Sequence, residues 1–227
     1  EVYFDGPVSR IKRNPDGSYL VTSMGAIGRE VAPIGAVTQV VTGETGKFRR
    51  SPLVEGLLRP TDALLADLDG DGLGDIAVAD FGRYTGGLPL HRAEPDGAFR
   101  DVTLLEEDGP LAVARDGDDL IALVAQGRER IVRFRDLGNG NAPAEEIVVE
   151  FPPSQGSSSL SVLDFDGDGS ADLLYTAGDN ADISPLFKPY HGVYLFRGAP
   201  DGAFNQALFW PLDGAYGAVA EDFDGDG

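Results

Sequence analysis

Nine consecutive residues, Asp67-Leu68-Asp69-Gly70-Asp71-Gly72-Leu73-Gly74-Asp75, put aspartate at positions 1, 3, 5 and 9, and Asp164, Asp166, Asp168 and Asp172 repeat the frame. Four carboxylates so close together repel one another unless a cation joins them. Hard oxygen donors at alternate positions, with glycines permitting a tight bend, suit Ca²⁺, which takes oxygen ligands at about 2.3–2.6 Å in loose geometry. A third copy, with Asp222, Asp224 and Asp226, is cut by the last residue of the sequence, Gly227. A lone Asp-Gly cluster reads equally well as a hydrophilic turn. Recurrence in one setting favours a repeated ion site, with two full Ca²⁺ sites and a third truncated.

An EF-hand is excluded by the later positions. That loop needs a bidentate Glu at position 12 and a helix on either side, whereas position 12 here is Val78 in one copy and Tyr175 in the other. The flanks are short apolar runs of strand length: Ala63–Ala66 and Ile76–Ala79 around the first loop, Leu160–Leu163 and Leu173–Thr176 around the second. Each loop therefore joins two strands.

The formal net charge is −20, from 18 basic and 38 acidic residues, with a sequence pI near 4.2. Such a field disfavours nucleic-acid backbones. With 42% hydrophobic and 25% charged residues, the chain has the composition of a globular domain and not of an acidic tail. Cysteine is absent, which excludes disulfides, thiolate metal sites and covalent c-type haem within these residues. Ion sites built from Asp and backbone oxygen fill where Ca²⁺ is near millimolar, so the expected location is periplasmic or extracellular. No apolar run reaches the roughly 18 residues of a membrane span. The opening Glu1-Val2-Tyr3-Phe4 is consistent with a mature product whose signal peptide or lipid anchor lies outside the sequence.

A shortened acidic turn, Asp116-Gly117-Asp118-Asp119, stands between the two full loops, so that acidic turns begin at residues 67, 116, 164 and 222. Their spacing of about fifty residues is that of propeller blades. A second marker runs in phase: Glu94-Pro95-Asp96-Gly97-Ala98-Phe99 and Ala199-Pro200-Asp201-Gly202-Ala203-Phe204 are near-identical hairpin turns, and Gly43-Glu44-Thr45-Gly46-Lys47-Phe48 and Asn139-Gly140-Asn141 fall where the same turn is due. The turn at Asn14-Pro15-Asp16-Gly17-Ser18-Tyr19 fits the first unit, which has no acidic ion loop. Each unit then holds four strands. The expectation is an all-β, partial β-propeller of four-stranded antiparallel blades over residues 1–227. Blades fall near 1–58, 59–107, 108–155 and 156–213, with another starting at 214.

Gly192-Val193-Tyr194-Leu195-Phe196-Arg197-Gly198-Ala199-Pro200 and Asp80-Phe81-Gly82, together with the acidic loops, resemble the FG-GAP/VCBS repeat family, which includes the integrin α-subunit propellers. That resemblance implies Ca²⁺ held by side chains at positions 1, 3, 5 and 9 and a main-chain carbonyl at position 7. The ligands would be Asp67, Asp69, Asp71, Leu73 and Asp75 in one loop, and Asp164, Asp166, Asp168, Ser170 and Asp172 in the other. The turn at 116 departs from the pattern, which puts an ion there in doubt.

His91 and His191 are the only histidines, and neither a Gly-x-Ser-x-Gly elbow nor a zinc-type His pair accompanies them. No catalytic residue is expected, and the function implied is a calcium-stabilised protein- or glycan-binding or assembly module. Two other classes stay open: a polysaccharide hydrolase or lyase using a propeller face, and a periplasmic accessory subunit of a membrane or redox complex. Trp210, Tyr190, Phe187 and Phe209 read either as an aromatic platform or as wedges between blades. The long connection from Gly178 to Gly192 carries Phe187, Lys188, Tyr190 and His191, which makes it the expected partner-binding segment.

Overall fold

The computed structural model describes residues 3–4, 6–25, 32–43, 46–82, 85–138, 143–179 and 187–222. Among the described residues, sixteen strands form four sheets, each of four consecutive antiparallel strands in sequential order. The first sheet holds β1 (Val8–Arg13), β2 (Tyr19–Ser23), β3 (Gly35–Thr42) and β4 (Phe48–Leu57). The second holds β5 (Pro60–Ala66), β6 (Asp75–Asp80), β7 (Leu88–Ala93) and β8 (Phe99–Leu105). The third holds β9 (Pro110–Asp116), β10 (Asp119–Val124), β11 (Arg130–Arg135) and β12 (Ala144–Glu150). The fourth holds β13 (Ser157–Leu163), β14 (Asp172–Ala177), β15 (Gly192–Gly198) and β16 (Phe204–Pro211). No helix occurs among the described residues, so none is long and apolar enough to cross a membrane.

Burial follows strand position. The second strands β6, with sequence Asp-Ile-Ala-Val-Ala-Asp, and β14, Asp-Leu-Leu-Tyr-Thr-Ala, are buried along their whole length, and β10 is buried after its first residue. A continuous apolar run suits a strand covered on both faces. The fourth strands β4, β8, β12 and β16 are mostly exposed and carry polar residues in mixed order. Charge on such an outer strand discourages pairing with another chain.

The chain divides into two compact units, Glu1–Val113 with Asp136–Pro143, and Ala114–Arg135 with Ala144–Gly227. In the first, Leu20, Val37, Val54 and Leu57 of the first sheet share a core with Ala63, Ile76 and Val78 of the second. Asp62, buried on β5, accepts a 2.8 Å hydrogen bond from Lys12 Nζ and one of 3.1 Å from the Val113 N–H. Burial lowers the Lys12 pKa against the pull of Asp62. In the second unit the core is aromatic. Phe151 stacks on Tyr175 at 4.3 Å, and Tyr194 lies 5.6 Å from Tyr175 and 4.5 Å from Phe209. Phe209 is thus a packing residue.

The Asp-Gly turns share one geometry. At Glu94–Ala98 the Gly97 N–H bonds the Glu94 carbonyl at 2.8 Å, the Glu94 N–H bonds the Ala98 carbonyl, and Asp96 Oδ1 accepts from the Ala98 N–H. Asn14–Ser18 and Ala199–Ala203 repeat all three bonds. The glycine adopts φ of +85° at Gly97 and +84° at Gly202, the left-handed region that a side chain disfavours. In the first sheet this turn joins β1 to β2, the place occupied by the acidic loop in the second and fourth sheets. That tight hairpin leaves no room there for a nine-residue ion loop.

Candidate metal centres

Both full acidic loops join the first strand of a sheet to the second, at registers Ala66↔Asp75 and Leu163↔Asp172. Aspartate side chains fold each loop by accepting its own N–H groups. Asp67 accepts from Gly70 at 2.7 Å and Gly72 at 3.0 Å, and Asp71 accepts from Leu73 at 2.8 Å. Asp164 accepts from Asp168 at 3.1 Å and Gly169 at 3.0 Å, and Asp168 accepts from Ser170 at 2.7 Å. These bonds turn the carboxylates inward. One oxygen each from Asp67, Asp69 and Asp71 lie within 4.8 Å of one another, and so do oxygens from Asp164, Asp166 and Asp172.

The ninth position is built alike in both loops. Asp75 Oδ2 accepts from the Leu68 N–H at 3.1 Å and Oδ1 from the Ala93 N–H at 2.9 Å. Asp172 Oδ2 accepts from the Phe165 N–H at 2.9 Å and Oδ1 from the Gly198 N–H at 2.8 Å. The carboxylate therefore ties loop position 2 to the end of the third strand. Burial pushes the Asp75 carboxyl above its ordinary value, against those two hydrogen bonds, and the charge of Asp69 adds to the rise. Asp172 joins the gathered oxygens of its loop, while in the first loop the gathered oxygens come from positions 1, 3 and 5.

A guanidinium sits beside position 3 each time. Arg92 Nη1 lies 3.1 Å from Asp69 Oδ2, and Arg197 Nε lies 3.3 Å from Asp166 Oδ2. Arg92 also donates to the Leu137 carbonyl. Sequence reasoning overlooked both residues, although each stands four positions before an Asp-Gly turn, at Asp96 and Asp201. In the third sheet the acidic turn is cut to Gly117 and Asp118 between β9 and β10. There Arg133 lies 3.1 Å from Asp116 and 3.6 Å from Asp119, and Arg135 lies 3.4 Å from Asp119. Arginine provides the positive charge that these remaining carboxylates require, while Asp118 is fully exposed and pairs with Arg115.

Loop donors are all oxygen, and three carboxylates converge in each loop with one arginine beside position 3. That donor set fits a hard divalent cation of the calcium type. Leu73 and Ser170, the implied carbonyl donors, lie within the same loops. Asp222 is exposed, and Asp224 and Asp226 lie outside the described residues.

The expected partner segment is divided. Phe187 is 83% exposed and Tyr190 37%, but His191 is only 1% exposed, with Nδ1 3.4 Å from Asp213 and its ring edge-on to Tyr190. His191 is a packing residue, out of reach of a surface partner. Residues 180–186 of the connection lie outside the described residues. His91 is also buried and holds Asp101 at 2.7 Å.

Residues 113–175 match the family model of the FG-GAP-like repeat. The chain carries an FG-GAP-like repeat. The matched stretch includes the shortened turn at Asp116 and the full loop at Asp164, so the repeat signature spans one degenerate and one complete acidic loop. No curated protein matches the chain. Among solved structures, a luciferin-regenerating enzyme is similar in fold, with a TM-score of 0.57 at 18% identity over 89% of this chain and 64% of that one. The Bombyx mori GH32 β-fructofuranosidase BmSUC1 aligns with a TM-score of 0.46 at 13% identity, over 92% of this chain and 51% of that one. The chain thus spans less than two thirds of the length of either.

Proposed function

We propose that this chain is part of a calcium-stabilised β-propeller that works outside the cytoplasm as a binding or assembly module. The observation that carries this reading is the like placement and like ninth-position bonding of the two acidic loops, with the gathered oxygens coming from positions 1, 3 and 5 in one and 1, 3 and 9 in the other. Each gathers three carboxylate oxygens within 4.8 Å at the same point of its sheet, and each ties its ninth residue to the third strand through the same pair of N–H bonds. Asp67, Asp69, Asp71 and Asp75 would hold one Ca²⁺, and Asp164, Asp166, Asp168 and Asp172 the other, with Leu73 and Ser170 offering carbonyls. The ion would neutralise the loop and brace the first three strands of the sheet, a structural role. Four-stranded sheets in sequential order, the FG-GAP-like repeat and the fold likeness support the propeller architecture.

A binding role fits better than a catalytic one because both histidines are buried in packing positions and the densest carboxylate clusters are committed to their own loops. The expected location follows from the calcium level that Asp-only sites need. Chelation provides the test. Metal-free protein should melt at a lower temperature than protein in millimolar Ca²⁺, and equal melting with metal loss confirmed would remove calcium from the account.

A further inference from the structure

The second unit carries a cleft of about 350 Å³ whose lining includes Gln126, Glu129, Ser154, Ser157, Asp179 and Lys188. Its size lies at the small end of the roughly 300–1,000 Å³ typical of small-molecule sites. The shape is set by Glu129, which accepts the N–H of Gly156 at 3.3 Å and of Ser157 at 2.9 Å. Gln126 Oε1 is buried and has no hydrogen-bond partner among the described residues. A buried acceptor left unpaired is costly, so this one is suited to a donor brought by a ligand.

Two tyrosines bond through their hydroxyls to residues of this lining. Tyr190 donates to the Ser154 carbonyl at 3.4 Å and Tyr216 to Asp179 Oδ1 at 3.1 Å. Both rings stay open to solvent, Tyr190 at 37% and Tyr216 at 67% exposure. An aromatic ring held at its tip with its body exposed is a platform for stacking.

We propose that this cleft binds a neutral saccharide, with sugar hydroxyls donating to Gln126 Oε1 and Asp179 and a C–H face of the ring lying on Tyr216, the more exposed of the two rings. Three observations select that class: an acceptor-rich lining, an orphan acceptor and two anchored aromatic rings. An apolar ligand would bury the carboxylates and the amide without partners. An acidic sugar or a phosphate would meet Glu129 and Asp179, only one of whose charges Lys188 offsets, within a chain charge of −20. The site deepens the binding-module reading and rests on it, but uses none of the calcium-loop residues.

The test is titration of the intact chain with maltotetraose, cellotetraose, mannotetraose and β-1,4-galactotetraose, and with tetragalacturonate as the acidic counterpart. Calorimetry and saturation-transfer NMR should be run both in millimolar Ca²⁺ and in chelator. At least one neutral sugar should bind saturably and perturb tyrosine ring protons, and tetragalacturonate should not bind. Tyr216→Ala and Gln126→Ala should each weaken binding by about tenfold while melting like the parent. Should either variant fold poorly, the ring-proton response of the unaltered chain decides. The proposal is overturned by no saturable binding of any neutral sugar, by preference for tetragalacturonate, or by affinity indifferent to either substitution. Sugar binding with melting indifferent to calcium sinks the calcium role alone, whereas calcium-dependent melting without sugar binding sinks the saccharide site alone.

Discussion

Asp75 and Asp172 each commit both carboxylate oxygens to backbone N–H groups from two separate chain segments, whereas among the described residues Asp168 accepts from Ser170, inside its own loop. Removing the ninth-position carboxylate therefore strips two strand-linking bonds even without metal. Asp172→Ala should cost about 2–3 kcal/mol in chelator and Asp168→Ala under about 1 kcal/mol, measured by urea unfolding. Equal effects would deny the ninth position its bracing role. A second buried carboxylate gives a pH signature. Asp80 accepts the N–H of Leu58 at 3.0 Å and of Arg59 at 2.6 Å, yet burial outweighs these bonds and raises its pKa above the ordinary 3.8. A carboxyl whose folded pKa is raised contributes stability that is fully present below its unfolded value and is lost as pH rises through the folded one. The parent should thus gain stability relative to Asp80→Asn as pH falls from neutral through the raised pKa toward 3.8. A melting difference that is flat over that range would contradict the assignment.

At the scale of the element, the buried second strand and the Asp-Gly turn organise each sheet. Tyr175, fully buried on β14, stacks on Phe151 at 4.3 Å and shares a 2.7 Å hydrogen bond with Ser157 Oγ. Tyr175→Ala should cost about 3–5 kcal/mol by opening a cavity in the aromatic core, and Tyr175→Phe about 1 kcal/mol for the lost hydrogen bond. Thermal melts of both variants check the ratio. Gly97→Ala forces a Cβ onto a residue at φ +85° with open space around it, so the cost is backbone strain alone, about 1–2 kcal/mol. The sequence showed these elements because their signals are local: continuous apolar runs mark β6 and β14, and Pro-Asp-Gly marks the turns. Of the four aspartates expected to act together in each loop, the structure gathers positions 1, 3 and 5 in one and positions 1, 3 and 9 in the other, a difference that spacing alone does not report. What stayed hidden is contact across strands. Arg92, Arg197 and Arg133 read as ordinary strand charges until the third strand is laid beside the acidic loop. The burial of His191 and the tethering of Tyr216 to Asp179 depend on segments 22 and 37 residues apart or more, which no short-range pattern reports.

Over the whole molecule, the acidic loops recur where first and second strands meet, once in each compact unit. If each holds a calcium ion, binding contributes RT ln(1 + [L]/Kd), about 2.7 kcal/mol per site at a hundredfold excess over Kd. The third sheet serves as an internal control, since arginine already pairs with Asp116 and Asp119 there and Asp118 is fully exposed. The most direct measurement is calorimetric titration of the metal-free chain with CaCl₂, with Asp69→Ala and Asp118→Ala run in parallel. Two sites are expected in the unaltered chain and in Asp118→Ala, and one in Asp69→Ala. No binding heat at millimolar Ca²⁺, or a stoichiometry that Asp69→Ala leaves unchanged, would contradict the assignment of calcium to these loops.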